Sequence, residues 1–90
     1  MLSPKKTSQF KKDYKKYQFS GRYDISKLND IMRKLINEET LEVKHNDHQL
    51  KGKYNDFREC HVETDWLLIY KIDSSEIIFT RTGSHSELFD

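Results

Sequence analysis

Three of the four histidines stand where loops meet strands: His48 in a central loop, His61 late in a strand-like run, and His85 after the last such run. Asp65 follows His61 closely, and Arg81 precedes His85. An imidazole, with an ordinary pKa of about 6.5, can take or give a proton near neutrality. An arginine stays charged and pairs two-pronged with phosphate. Together with a carboxylate, these are the groups that RNA cleavage without a metal requires. A base removes the ribose 2′-OH proton and the oxygen attacks the adjacent phosphorus in line. An acid then protonates the departing 5′ oxygen, and a cation stabilises the charge of the transition state. Spacing alone does not separate this set from a group of hydrogen-bonded surface residues. As zinc ligands, His48, His61, Asp65 and His85 lack an i, i+4 helical pair, and strand alternation points Cys60 off the face of His61. No metal and no cofactor is expected.

The elements that must position these residues fall into two halves. Phe10, Tyr14 and Tyr17 at i, i+4, i+7, with lysines between them, predict an amphipathic helix over 8–18 that Gly21 ends. Ile25, Leu28, Met32, Leu35 and Ile36 predict a second helix over 25–37 with Asp24 as N-cap, so the two form a hairpin. Residues 38–56 are turn formers with a short strand near 41–43, and His45 reads as an exposed loop residue. From Phe57 the pattern is β: 57–63 alternates, and 66–72 and 76–82 are rich in aromatic and β-branched residues. The intervening turns are too short for parallel crossovers, so these three strands are antiparallel neighbours. Arg81 is expected on the face of Ile77 and Phe79. Gly52 and Gly83 suit turns or close approaches, and most of Trp66 and the tyrosines are expected in the core.

Ninety residues are one domain, 1–90, and the absence of alanine leaves mostly large side chains among the apolar third. No apolar run approaches the ~20 residues that span a bilayer, and no signal peptide is legible, so a cytoplasmic location is expected. A lone cysteine precludes an internal disulfide. The net charge of +1 conceals a division: residues 1–35 hold ten Lys/Arg against three Asp/Glu, and residues 36–90 hold six against twelve. The lysine-rich half suits a polyanion, an acidic protein partner, or a plain solvated face.

Three blocks carry a family resemblance: Asp47-His48-Gln49-Leu50-Lys51-Gly52, then Phe57 through Lys71, then Arg81-Thr82-Gly83-Ser84-His85-Ser86-Glu87-Leu88-Phe89. In order and approximate spacing the C-terminal half resembles the YafQ branch of the RelE/ParE toxin superfamily. The resemblance implies an α+β fold with an N-terminal helical hairpin packed on a twisted antiparallel sheet. It also implies a ribonuclease toxin that cuts mRNA in the ribosomal A site and is silenced by a cognate antitoxin, monomeric when free and hetero-oligomeric with that partner. By position, His48, His61, Asp65 and His85 match the family's catalytic residues, Arg81 its phosphate-binding cation, and Phe89 a residue that positions RNA, with Lys51 a further substrate contact. His85 is the preferred acid and Asp65 or His61 the base. A carboxylate base would need burial or a neighbouring charge to raise its pKa. Thr64 stands where the family often has proline, which loosens the turn before Asp65. A non-catalytic toxin of the ParE type and a nucleic-acid-binding regulator are the competing readings.

Overall fold

A computed structural model describes residues 1–89. Strand β1 (Ser3–Lys6) leads into helices α1 (Ser8–Gln18) and α2 (Ile25–Ile36). After a 3₁₀ turn at Val43–His45 come β2 (His48–Gln49), a second 3₁₀ turn at Gly52–Tyr54, β3 (Arg58–Glu63), β4 (Trp66–Asp73), β5 (Glu76–Gly83) and α3 (His85–Phe89). The sheet order is β1-β5-β4-β3-β2. The expected antiparallel run of β3, β4 and β5 is present. The sheet as a whole is mixed, because β1 pairs with β5 in parallel. The long stretch of chain between them, both helices and strands β2 to β4, permits that pairing where a short turn would not.

The two helices start where their caps say they should. Thr7 accepts from Phe10 N at 3.0 Å, and Asp24 accepts from Ser26 N at 3.1 Å. Tyr14 OH donates to Asn29 Oδ1 at 2.7 Å and ties the hairpin together. The helices bury Phe10, Tyr17, Leu28, Ile31, Met32 and Leu35 against Cys60, Leu68, Tyr70, Ile77 and Phe79 of the sheet. Phe10 and Phe79 are wholly buried with ring centroids 5.8 Å apart. Truncating either to alanine would cost about 3–5 kcal/mol. Trp66, Tyr17 and Tyr70 are core, as expected, whereas Tyr54 is 40% exposed.

Two irregularities shape the sheet. The β4–β5 register slips between Ile69 and Tyr70, whose partners are Arg81 and Phe79, so Thr80 stands unopposed. Thr7 takes up the freed carbonyl, its hydroxyl donating to Thr80 O at 2.7 Å. The slip overturns the expected shared face: Ile77 and Phe79 point to the helices, while Arg81 pairs with Ile69 on the other side. A second slip lies between His61 and Glu63 in β3. No strand forms over 41–43; Leu41 is instead buried, and Val43 opens the 3₁₀ turn. Gly52 has φ +67°, and a Cβ on Gly83 would meet Glu87 Oε1 at 3.0 Å and Leu88 Cδ2 at 3.1 Å.

Helix α3 is absent from the sequence expectation. Ser84 and Glu87 cap each other, Ser84 N donating to Glu87 Oε1 at 2.9 Å and Glu87 N to Ser84 Oγ at 3.2 Å. The same carboxylate accepts from Tyr17 OH at 2.7 Å and from Lys16 Nζ, so it docks α3 on α1. The Lys16 ammonium, the Ser84 amide and the Tyr17 hydroxyl together hold the Glu87 carboxyl down at about 2.

Two expectations follow for stability. Thr82 is 1% exposed and its hydroxyl both accepts from Trp66 Nε1 at 3.0 Å and donates to Leu67 O at 2.7 Å. Thr82→Val leaves both groups unpaired and should cost about 1–3 kcal/mol, read as a lowered urea midpoint, with Thr82→Ser milder. Glu87 has a depressed folded pKa, so its contribution is complete above its ordinary 4.5 and is lost as pH falls toward about 2. Melting curves taken across that window should decline less steeply in Glu87→Gln than in the parent; equal slopes would mean that α3 is held some other way.

Candidate active site

Opposed residues in neighbouring strands project to the same side of a sheet. The register places His48 opposite Glu59, Glu59 opposite Ile69, and Ile69 opposite Arg81, a row crossing four strands on the face away from the helices. The next row on that face is His61, Leu67 and Gly83. Leu67 and Ile69 are buried but stand apart from the helix-side core, so they floor this second face. With strands about 4.8 Å apart, His48 and Arg81 lie roughly 14 Å from each other at the backbone, with His61 between them.

The most closely knit group is at the β3–β4 turn. Asp65 Oδ1 accepts from the His85 backbone N at 3.1 Å and meets His85 Nδ1 at 3.0 Å. The carboxylate thus satisfies the first amide of α3 and fixes the imidazole with its Nδ1 protonated, so Nε2 faces outward. The His85 amide and ring push the Asp65 pKa below the ordinary carboxylate range, the reverse of the upward shift that a neutral-pH base needs. The His61 ring stands edge-on to His85, centroids 5.9 Å apart and planes at 72°. Phe89 lies 6.3 Å from His85, and Tyr54 meets Phe89 edge-on at 5.8 Å. The second 3₁₀ turn therefore brings an exposed aromatic beside the histidines.

His48 is held separately. Its Nδ1 lies 2.6 Å from Asn46 O, and its Nε2 lies 3.2 Å from Glu59 Oε2. Glu59 is 6% exposed, a buried carboxylate whose partner is this imidazole. Arg81 is also engaged: Nε donates to Asp13 Oδ2 at 2.8 Å and Nη2 to Asp13 Oδ1 at 3.3 Å, across the sheet edge where β1 has ended. Lys51 is exposed between β2 and β3. His45, expected in solvent, is half-buried, with Nδ1 2.6 Å from His61 O. The 3₁₀ turn carries it back onto β3, where it supports the strand at the bulge beside His61.

The structure therefore unites His61, Asp65, His85 and Phe89, sets His48 and Arg81 on the same face at its two sides, and leaves Lys51 on the rim. Glu59, Asp13, His45 and Tyr54 are additions. Alternation gave a signal for Glu59, two residues before His61. For Asp13 the signal was an acidic residue within the apolar stripe of a lysine-rich helix. Among the described residues no three or more His, Cys, Asp or Glu side chains are grouped to hold a metal ion. Nor is any helix among them long and apolar enough to cross a membrane.

Comparison with known proteins matches this arrangement to one family. A family model for the bacterial toxin of type II toxin-antitoxin system, YafQ, matches residues 2–90. The mRNA interferase toxin YafQ of Escherichia coli is 40% identical over 84 residues, 92% of this chain and 90% of that protein. In the solved E. coli DinJ-YafQ complex, a chain superimposes with a TM-score of 0.91 at 37% identity, all of both chains being covered. A copper-bound mutant toxin from Helicobacter pylori superimposes with a TM-score of 0.91 at 42% identity, over 99% of this chain and 100% of that one. With sequence and fold agreeing along essentially its whole length, the chain belongs to the YafQ family of bacterial toxins of type II toxin-antitoxin systems.

Proposed function

We propose that this YafQ-family toxin is an mRNA interferase, an endoribonuclease that cuts mRNA on the ribosome in the cytoplasm and is silenced by a cognate antitoxin. The E. coli YafQ that it resembles along its length carries the interferase name, and E. coli YafQ is seen in a toxin-antitoxin complex with DinJ. The observation that carries the chemistry is the His85 imidazole fixed by Asp65 with His61 5.9 Å away. Two imidazoles at that separation can flank one phosphodiester, one at the attacking oxygen and one at the leaving oxygen.

In this reading His85 Nε2 protonates the departing 5′ oxygen, and its Nδ1–H is anchored on Asp65. His61 takes the 2′-OH proton. Asp65 is the poorer base because its pKa is driven down and one oxygen is already committed twice to His85. His48 and Arg81 supply positive charge from the two sides of the face. Both partners of His48, the Asn46 carbonyl and the Glu59 carboxylate, are acceptors, and together they fix the ring at one side of the face. Phe89 and Tyr54 offer exposed rings on which a base can stack, the usual means by which single-stranded RNA is gripped.

Primer-extension mapping in a translation extract tests the assignment. His85→Ala should lower cleavage by ~10² to 10⁴-fold, the ordinary loss for a proton-transfer group. Asp65→Ala should lower it too, by freeing the imidazole. Wild-type cleavage by both variants would end the mechanism. A chelator that strips transition metals while sparing ribosomal Mg²⁺ should leave the cleavage pattern and rate unchanged, whereas loss of cutting restored by one added metal would demand a different chemistry.

A further inference from the structure

Asp13 is a buried carboxylate for which the proposed chemistry has no use. It sits in the middle of α1, 8% exposed, on the side that carries Phe10 and Tyr17. An ionised group there is costly unless it is fully bonded. Four donors reach it: Gln9 Nε2 at 3.1 Å, Thr82 N at 3.2 Å, Arg81 Nε at 2.8 Å and Arg81 Nη2 at 3.3 Å. The Thr82 bond replaces the strand neighbour that β5 lost when β1 ended at Lys6. The two bonds to Arg81 do more than repair an edge.

We propose that Asp13 is a positioning residue for Arg81, holding one edge of the guanidinium so that the other is presented to the scissile phosphate; this rests on the assignment of Arg81 as the phosphate-binding cation. A guanidinium has five N–H donors in a planar fork. Asp13 takes Nε–H and one Nη2–H, which leaves the second Nη2–H and both Nη1–H for a ligand. The Arg81 side chain is one-third exposed, with its backbone in the row of Glu59 and Ile69. An unanchored arginine at a sheet edge would spread over many rotamers, and ordering it would be charged against the transition state. A carboxylate beside a phosphate site also subtracts positive charge. Orientation and raw charge therefore make opposite predictions. If charge alone mattered, removing Asp13 would raise activity; if orientation matters, it lowers it.

Asp13→Asn keeps the volume and an oxygen for Thr82 N but gives up the two-pronged ion pair. On ribosomes programmed with a defined mRNA, it should lower the single-turnover cleavage rate by roughly 10- to 100-fold, the loss expected from about an ångström of misplacement. The toxin concentration giving half-maximal rate should change little. Arg81→Lys should lose nearly as much as Arg81→Ala, since an ammonium cannot be held by one edge and offered by the other. Asp13→Asn added to Arg81→Lys should cost little more, because both act through one fork.

Three results would overturn the proposal: an Asp13→Asn rate at or above wild type, an equal Asp13→Asn loss with and without Arg81→Lys, or near-wild-type cleavage by Arg81→Lys. The last needs no substitution at Asp13, so it decides even if Asp13→Asn does not fold, which a melting curve reports. Full cleavage by Arg81→Ala would instead remove Arg81 from the site and with it the assignment beneath this proposal.

Discussion

A β-strand can point each side chain to only one of two faces, and this parity organises the whole molecule. Cys60, Leu68, Tyr70 and Phe79 go to the helices, which leaves Glu59, His61, Leu67, Ile69 and Arg81 for the other face. Arg81 reaches it only because the register slips at Thr80. Were Thr80 a regular strand position, strict alternation from Ile77 and Phe79 would drive a guanidinium into the helix-side core, where an unpaired charge costs far more than a bulge. The Thr7 hydroxyl donates to Thr80 O at this slip, joining the N-cap of α1 to the bulge.

Acidic residues then fix what parity has aimed. Asp65 orients His85, Glu59 meets His48, Asp13 grips Arg81, and Glu87 docks the short helix that carries His85. The opposite charges of the two halves of the chain look different in this light. Lys5–Glu76, Lys16–Glu87 and Lys27–Glu63 join the basic half to the acidic one. Exposed pairs of this kind, screened by solvent, contribute little to stability. Their value is in orientation, and part of the asymmetry serves contacts within the chain. Lys11, Lys12 and Lys15 remain exposed on α1, where a phosphate backbone or an acidic partner can reach them.

What could be read from the sequence was whatever repeats with a period. The spacing of Phe10, Tyr14 and Tyr17 gave α1 its observed bounds, and Asp24 marked the start of α2. The three C-terminal strands were equally plain, because their aromatic and β-branched runs are long. Features without a period were lost. α3 has only five residues, too few for a helical stripe, although Ser84 and Glu87 spell its capping box. β1 is four residues with every side chain exposed, so no hydrophobic pattern announces it. The bulge at Thr80 has no local signature, and with it went the correct face of Arg81. The chemical residues themselves were legible by type and by resemblance, but their partners were not, since Asp13 and Arg81 are 68 residues apart.

In the proposed mechanism those partners divide the labour among chemically similar groups. An imidazole whose two nitrogens both face acceptors, as in His48, is held at both ends and suits positioning or charge stabilisation. One whose Nδ1 alone is anchored, as in His85, keeps Nε2 for a proton it can give up. His61 is positioned through its backbone, its carbonyl bonded by His45, and its ring packs against His85 with neither nitrogen hydrogen-bonded among the described residues. In the proposed mechanism it is therefore the one assigned to the 2′-OH proton, and three residues of one type are given different tasks by what surrounds each ring.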